Sequence, residues 1–434
     1  METVIGYGNL RELRLAFPPE QLVAFHRSQS ETSVQSPAAD LRHALQHPLD
    51  FPALNQAITP DDRITIAVHP WLMEAAFLVG NAVKYFLETG IAAESITVLQ
   101  APGETSLKLT PHLAAETLEA ITLLEHDPDN SREIAYLAST QDGERIYLNR
   151  ALVEADLVLP LGTTTFNPYW GIRAGAEFLY PLFSDEPTQR RFREQQINYV
   201  AKQPWEPAIK EVQDVLWLLG VHFALMAVPG RKGKNAAYFA GTPAEVAMHA
   251  TSLYRKAWQI SRLQSAETIL ITWEKSPGEL TWEEIANSLE MALPFVKPGG
   301  SIVLCCGDLS EEAQSAVATQ KEAAPASRLE EMTEGLQLLL QQEDLNYTIS
   351  TLQQYLPADA LTAQHLAKAQ THTKIYAWLP IREEVMEDLN FIPLHSEKEV
   401  HRLLERPSTC LLMENAQYLF FEGPGKIEGG GSPR

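Results

Sequence analysis

The chain has little cysteine, and the cysteines it has do not suggest a disulfide framework. Its 434 residues include only Cys305, Cys306 and Cys410. Three cysteines are too few for such a framework, and the first two lie inside an apolar strand pattern, so we expect buried thiols in a reducing compartment. No cysteine–histidine cluster has the spacing of a zinc site. The cytoplasm is therefore the expected location.

Long apolar runs and an excess of positive charge are also missing. The formal net charge is −22, which repels phosphate backbones and anionic membrane surfaces. No window approaches the roughly eighteen apolar residues of a membrane span. The opening residues METVIGYGNLRELRLAF lack a continuous apolar core, so we expect no secretory signal. A small molecule is thus the expected partner, rather than nucleic acid or a membrane.

Short apolar, β-branched runs recur along the chain, separated by helical patterns. These runs are Arg63–Val68, Glu94–Leu99, Ala155–Leu161, His222–Val228, Thr268–Trp273, Ser301–Cys306 and Lys374–Leu379. Strands that are apolar on both faces need helices on both sides, so the pattern predicts an α/β fold with mostly parallel sheets. Ligands of such sheets bind beyond the carboxyl ends of the strands.

The length of the chain predicts more than one domain. We expect a first α/β domain over residues 1–264, to which the segment 405–425 could belong, and a second α/β domain over residues 265–404. The charged segment 309–342 has a helical pattern and is expected to form an exposed insertion or lid. The glycine-rich residues 426–434 are expected to be a disordered tail.

One stretch, TTTFNPYWGIRAGAEFLYPLFSD at residues 163–185, has the composition of a small-molecule site. Its candidate ligand-binding side chains are Thr164, Asn167, Tyr169, Trp170 and Arg173. A guanidinium binds a carboxylate through two hydrogen bonds. The aromatic pair could either stack on a planar ring, such as a nucleobase, or serve domain packing. Glu177 could act as a proton acceptor if it is desolvated. Alternatively, it could form an ion pair with Arg173 one helical turn earlier.

Two loops that follow predicted strands supply further candidates. His69 comes directly after the first strand, a usual place for a working imidazole, although a lone histidine is more often structural. Trp71 in the same loop is a candidate ligand contact. Glu104 lies in the loop after the second strand, where a carboxylate could act as a general base. It could equally cap the next helix or face water.

The order of four segments resembles the nickel-pincer-dependent lactate racemase family. These segments are DDRITIAV, ESITVLQAPGETS, EADLVLPLGTTTFNPYWGIRAGAEFLYPLFS and YFAGTPAEVAMHA, and the resemblance runs over residues 40–385. It implies two α/β domains with the active site in the cleft between them. It also implies a pincer nucleotide tethered to a lysine, and a nickel ion that a histidine ligates. Two further histidines would move the hydroxyl proton of a 2-hydroxy acid.

The residues that match the family's cofactor positions differ from the family pattern. Glu177 stands at the position of the tethering lysine, and a carboxylate cannot form the same amide link as an amine. Asn167 stands at the position of the nickel-binding histidine, and a neutral amide is a poor nickel ligand.

The positions that match the family's substrate-handling residues differ as well. Glu104 matches one proton-shuttling histidine, and the segment RRFREQQ, where the other is expected, contains no histidine. His69, Trp71 and Leu72 occupy the loop in which the family has a carboxylate-binding arginine. In the second domain, Asn287 and Glu290 replace an expected glutamine and lysine on one helix.

These substitutions favour a divergent racemase-like protein that binds a small carboxylate or nucleotide-like ligand in the cleft without nickel-pincer chemistry. No cofactor is then predicted. Two alternatives stay open. In the first, the chain is an active nickel-dependent 2-hydroxy-acid racemase or epimerase, an isomerase whose ligands lie at other positions. In the second, it is a non-catalytic scaffold.

Overall fold

A computed structural model describes most of the chain. The described residues are 2–8, 11–18, 20–30, 36–101, 107–139, 143, 145–167, 170–198, 206–261, 264–274, 280, 282–307, 360–379 and 383–421. They divide into two compact units. The unit that we call the first domain comprises Ser30–Gln195 and Tyr199–Ala257. The second domain comprises Met1–Gln29, Gln196–Asn198 and Trp258–Arg434.

Strands and helices alternate over most of the described chain. The strands are β1 Glu2–Tyr7, β2 Arg11–Ala16, β3 Leu22–His26, β4 Ile64–Val68, β5 Ile96–Gln100, β6 Thr122–Glu125, β7 Ile134–Ser139, β8 Arg145–Asn149, β9 Leu157–Thr163, β10 Thr165–Asn167, β11 Gly171–Arg173, β12 Ala224–Pro229, β13 Asn235–Gly241, β14 Ala266–Thr272, β15 Val296–Cys305, β16 Lys374–Trp378, β17 Ile392–Pro393 and β18 Cys410–Glu414. The helices are α1 Pro37–Gln46, α2 Leu54–Ala57, α3 Ala75–Glu88, α4 Ala115–Ala120, α5 Arg150–Val153, α6 Leu179–Leu182, α7 Glu186–Asn198, α8 Glu206–Leu218, α9 Pro243–Trp258, α10 Trp282–Ala292, α11 Ala360–His372, α12 Glu383–Asp388 and α13 Glu397–Leu404.

The first domain is built on a six-stranded sheet with the order β13-β12-β9-β4-β5-β6. All neighbouring pairs are parallel except β12 and β13, which form an antiparallel hairpin. Every residue of β4 is buried, as expected of a central strand covered on both faces. One face packs against α1 and α3. The other face packs against the segment 176–183, which contains the candidate residue Glu177.

The second domain is built on a six-stranded, wholly parallel sheet with the order β17-β16-β15-β14-β18-β3. The antiparallel hairpin β1–β2 packs its buried side chains, including Ile5 and Leu13, against one face of this sheet. Helix α10 connects β14 to β15, and α11 precedes β16, so the two helices occupy neighbouring crossover positions and pack together.

The α/β architecture with mostly parallel sheets is confirmed, and each of the seven apolar runs overlaps a strand. The observed division of the chain differs from the predicted boundaries at both termini. Strand β3 pairs with β18, so residues 1–29 join the second domain rather than the first. Strand β18 also pairs with β14, which places the segment around Cys410–Glu414 in the second domain. Sequence periodicity cannot show which sheet receives a strand when the pairing is this distant along the chain.

Two predicted features lie outside the described residues, namely the helical insertion at 309–342 and the tail at 426–434. Within the described part of the chain, no helix combines the length and the apolar character needed to cross a membrane.

Candidate functional site

His69 is held at the carboxyl end of β4 by main-chain bonds. Its N–H donates to the carbonyl of Leu161 on the neighbouring strand β9 at 2.9 Å. Its ring Nδ1 accepts the N–H of Trp71 at 3.0 Å. Because Nδ1 is an acceptor here, the neutral imidazole carries its proton on Nε2. In that state the ring can donate a hydrogen bond from Nε2, whereas a general base would need a lone pair there.

The ring of His69 packs edge to face on Phe178, with centroids 5.0 Å apart. Gly162 on β9 makes room for this arrangement. A Cβ atom at that position would lie 2.7 Å from Met226 and 3.0 Å from Phe178. The glycine therefore allows the segment that carries Glu177 and Phe178 to approach the strand next to His69.

Strands β10 and β11 form a short hairpin that carries two of the candidate residues. Thr165 pairs with Arg173, and Asn167 pairs with Gly171. The side-chain oxygen Oδ1 of Asn167 accepts the N–H of Trp170 at 3.3 Å, so the amide closes the turn of the hairpin.

Thr164 precedes this hairpin and is fully buried. Its N–H and its hydroxyl both donate to the carbonyl of Ala227 on β12, at 2.8 and 3.3 Å. This side chain is therefore committed to holding the hairpin on the sheet. Trp71 is also buried, with 7% of its surface exposed.

Trp170 packs inside the first domain. It is 9% exposed, and its ring stacks on Phe192 of α7 with centroids 5.9 Å apart and planes at 23°. The guanidinium carbon of Arg173 lies 5.2 Å from the centroid of the Trp170 ring, a cation–π contact. The ring of Trp170 thus helps to hold the side chain of Arg173 in place.

Arg173 and Glu177 are neighbours, but the contact between them is not the expected side-chain ion pair. The guanidinium of Arg173 donates to the main-chain carbonyl of Glu177. The carboxylate of Glu177 accepts the N–H of Gly175 at 2.8 Å. The reason is local conformation: residues 171–173 are a strand and only 176–178 form a 3-10 turn, so the four-residue spacing does not fall on one helix face.

The segment RRFREQQ forms part of α7, where Arg191 binds Glu211 of α8 through two hydrogen bonds of 2.9 and 2.5 Å. Tyr180 donates to the same carboxylate at 2.7 Å. Burial, together with this bond to Glu211, raises the pKa of the Tyr180 hydroxyl far above its ordinary value. The position at which the resemblance implies an acid–base histidine therefore lies in an ion-pair network between two helices.

The remaining predicted residues are Asn287, Glu290, Glu104 and Tyr169. Asn287 and Glu290 lie on α10 in the second domain, and Glu290 forms an ion pair with Lys368 of α11 at 2.5 Å. Glu104 and Tyr169 lie outside the described residues.

Sequence reasoning missed Phe178, Gly175 and His126. The first two are an apolar residue and a glycine, and their roles depend on contacts that no motif encodes. His126 follows a β-strand directly, as His69 does, but the strand TLLE lacks β-branched residues at its end and was not recognised. In the described part of the chain, no group of three or more His, Cys, Asp or Glu side chains is arranged to hold a metal ion.

The molecule is thus an α/β protein with candidate polar groups at the carboxyl edge of the parallel strands in its first domain, where such folds bind ligands. Residues 7–191 match the family described as lactate racemase N-terminal domain. The chain therefore resembles the lactate racemase family. No curated protein matches it significantly in sequence.

Two solved structures share the fold. The lactate racemase apoprotein from Thermoanaerobacterium thermosaccharolyticum has 14% sequence identity and a TM-score of 0.69, over 98% of this chain and all of that one. A protein from Thermotoga maritima has 12% identity and a TM-score of 0.58, over 89% of this chain and 96% of that one. At these identities the likeness shows the fold alone.

Proposed function

We propose that this chain is a divergent lactate-racemase-like protein that binds a small carboxylate at the carboxyl edge of its first sheet. We further propose that it does so without the tethered nickel-pincer nucleotide of the family. The observation that carries the proposal is the hydrogen bond between the Glu177 carboxylate and the N–H of Gly175. Glu177, the acid held by this turn, is the residue that the resemblance matches to the family's tethering lysine.

The position that matches the nickel ligand supports the same conclusion. Asn167 has no imidazole nitrogen to offer, and its Oδ1 accepts the N–H of Trp170. Neutral amide oxygen is a poor ligand for nickel compared with imidazole. Glu177 and Asn167 together therefore do not fit the family cofactor, and we assign no chemistry to it in this chain.

The class of ligand follows from the donors in the two loops. The neutral ring of His69 presents an N–H at Nε2, and Arg173 carries a fixed positive charge beside Trp170. Such donors suit an anion, and a guanidinium suits a carboxylate in particular. A nucleobase is a weaker fit, because Phe192 already stacks on the ring of Trp170. A 2-hydroxy acid is the carboxylate that the family resemblance suggests.

Isothermal titration calorimetry with lactate and with its neutral amide, lactamide, tests the proposal. We expect lactate to bind and lactamide not to bind. Changing Arg173 to alanine should weaken lactate binding by about 5- to 150-fold, which corresponds to the roughly 1–3 kcal/mol of a lost charge-assisted hydrogen bond. Equal binding of the two compounds, or unchanged affinity in Arg173→Ala, would refute the proposal.

Arg190 offers a matched control on α7. It is exposed and pairs with Glu186 one turn away at 2.9 Å. Arg190→Ala removes the same charge from the same domain without touching the hairpin, so lactate affinity should not change. If both variants weaken binding equally, the effect is one of net charge and Arg173 is not the anchor.

A further inference from the structure

His126 is a buried histidine at the carboxyl end of β6, 1% exposed, and its two ring nitrogens have different partners. Nδ1 lies 3.1 Å from Nδ2 of Asn149. Nε2 lies 2.8 Å from the carbonyl oxygen of Ser184. A carbonyl can only accept, so Nε2 carries the proton and Nδ1 accepts the amide N–H. Burial lowers the pKa of this imidazole, consistent with the neutral form.

Asn149 cannot easily turn over to suit a protonated ring. Its Oδ1 accepts the N–H of Ala151 at 3.0 Å and so caps the start of α5. Turning the amide would place its NH₂ group against that N–H. A proton on Nδ1 of His126 would therefore meet the NH₂ of Asn149, donor against donor, and the contact would break.

Ser184, one of the partners of the His126 ring, belongs to the segment that carries the candidate site. Ser184 follows Glu177 by seven residues, through the 3-10 turn and α6. The carbonyl of Ser184 also accepts from Gln189 of α7 at 3.1 Å. His126 thus joins the ends of β6 and β8 to the chain that leaves the site.

A row of rings links the two histidines. His69 packs on Phe178 at 5.0 Å, Phe178 on Phe183 at 6.4 Å, and Phe183 on His126 at 5.7 Å between centroids, each pair edge to face. Phe178 and Phe183 belong to the same segment as Ser184. A shift of Ser184 would therefore displace these rings and change the packing around His69.

We propose that His126 is a positioning residue for the ligand site and that its protonation releases the segment 176–189 from the end of β6, weakening ligand binding in acid. The proposal rests on the proposed function, since it concerns that same site. The loop of His126 carries Asp127, whose charge favours the protonated ring.

Two further charged side chains lie next to residues that contact His126. Asp185 caps the N–H of Thr188 at 3.3 Å, and on α7 Arg193 contacts Gln189, at 3.3 Å. The side chains that reach the imidazole itself, Asn149 and Gln189, are neutral. A proton on His126 loosens the segment and so weakens the binding of the ligand.

Hydrogen–deuterium exchange on the ligand-free chain tests whether protonation of His126 releases the segment 176–189. The 176–189 peptide should exchange about tenfold faster at pH 5 than at pH 7.5, after correction for the intrinsic exchange rate. His126→Gln keeps a donor for Ser184 but cannot titrate, so its exchange should not depend on pH.

Asn149→Asp provides a second variant should His126→Gln fail to fold. It keeps the acceptor for Ala151 and offers a carboxylate oxygen to a protonated Nδ1, so the acid-induced loosening should disappear. Exchange that is equally sensitive to pH in the wild type and both variants would overturn the proposal.

Lactate titrations at the two pH values complete the test. We expect about tenfold weaker binding at pH 5 in the wild type and no such loss in either variant. Tighter binding in acid would overturn the role of His126. If exchange follows the prediction and lactate does not bind at any pH, the segment is held by His126 while the proposed function fails.

Discussion

Gly175 and Glu177 are joined by a hydrogen bond of 2.8 Å in which the main-chain N–H of the glycine donates to the carboxylate. The carboxylate lies so close over its own turn that a Cβ atom at Gly175 would be 2.9 Å from both of its oxygens. The side chain of Glu177, which the resemblance matches to the family's tethering lysine, is therefore bound to its own turn.

Removing this acceptor should lower the free energy of unfolding. The loss should depend on whether an acceptor oxygen remains at the same place, and less on its negative charge. Glu177→Ala leaves the N–H of Gly175 without its partner and should lower the free energy of unfolding by about 1–2 kcal/mol. Glu177→Gln retains an oxygen at the same place and should lower it by less than about 1 kcal/mol. Urea unfolding of both variants measures the difference. Equal losses would show that the carboxylate does not hold this turn.

The second domain contains a half-buried histidine, His26, that should oppose folding in acid. Burial lowers the pKa of His26 to about 4, and its Nε2 is buried without a hydrogen-bond partner. The unfolded chain takes up this proton near pH 6.5 and the folded chain only near pH 4, so stability should fall as the pH drops through that window.

His26→Phe keeps the aromatic contact with Phe295, where the ring centroids are 6.0 Å apart, and removes the titration. At pH 4 this variant should be more stable than the wild type by on the order of 1–3 kcal/mol, with a smaller difference at pH 8. Thermal unfolding over the pH range checks this. His222, which is exposed, provides the control substitution. A stability difference that does not vary with pH would contradict the assignment.

Glu290, which pairs with Lys368, carries a negative charge on α10 where the family resemblance implies a lysine. Glu290→Lys should place two ammonium groups together and destabilise the second domain by about 1 kcal/mol, because like charges repel and the partly buried pair is lost. The double exchange Glu290→Lys with Lys368→Glu should recover most of that loss. A double-mutant cycle by urea unfolding measures the coupling. A coupling energy near zero would mean that the pair does not stabilise the packing of α10 on α11.

The sequence predicted the apolar strands in the middle of the chain better than the strands near its two ends. Apolar runs such as Ile64–Val68 are buried on both faces, so their strand character is visible in composition alone. Strands β1, β3 and β18 were missed or assigned to the wrong sheet, because each is stabilised by a partner hundreds of residues away or by a hairpin without a strong turn motif. Domain membership depends on that pairing.

The sequence could name candidate residues for the site but could not give their contacts. The positions of His69, Arg173 and Glu177 could be named from the strand–loop pattern and the family resemblance. Their contacts could not, since Glu177 turns to Gly175 and His69 packs on Phe178. Such contacts are set by the turn of the backbone and by Gly162, whose missing Cβ makes the approach possible.

The central claim is that Glu177 and Asn167 cannot hold the nickel-pincer nucleotide. The most direct test is to produce the chain together with the enzymes that make this cofactor, with a lactate racemase as positive control, and to measure its intact mass and nickel content. We expect the mass of the unmodified chain and no stoichiometric nickel. One nickel per chain, together with a covalent adduct on a lysine, would contradict the account.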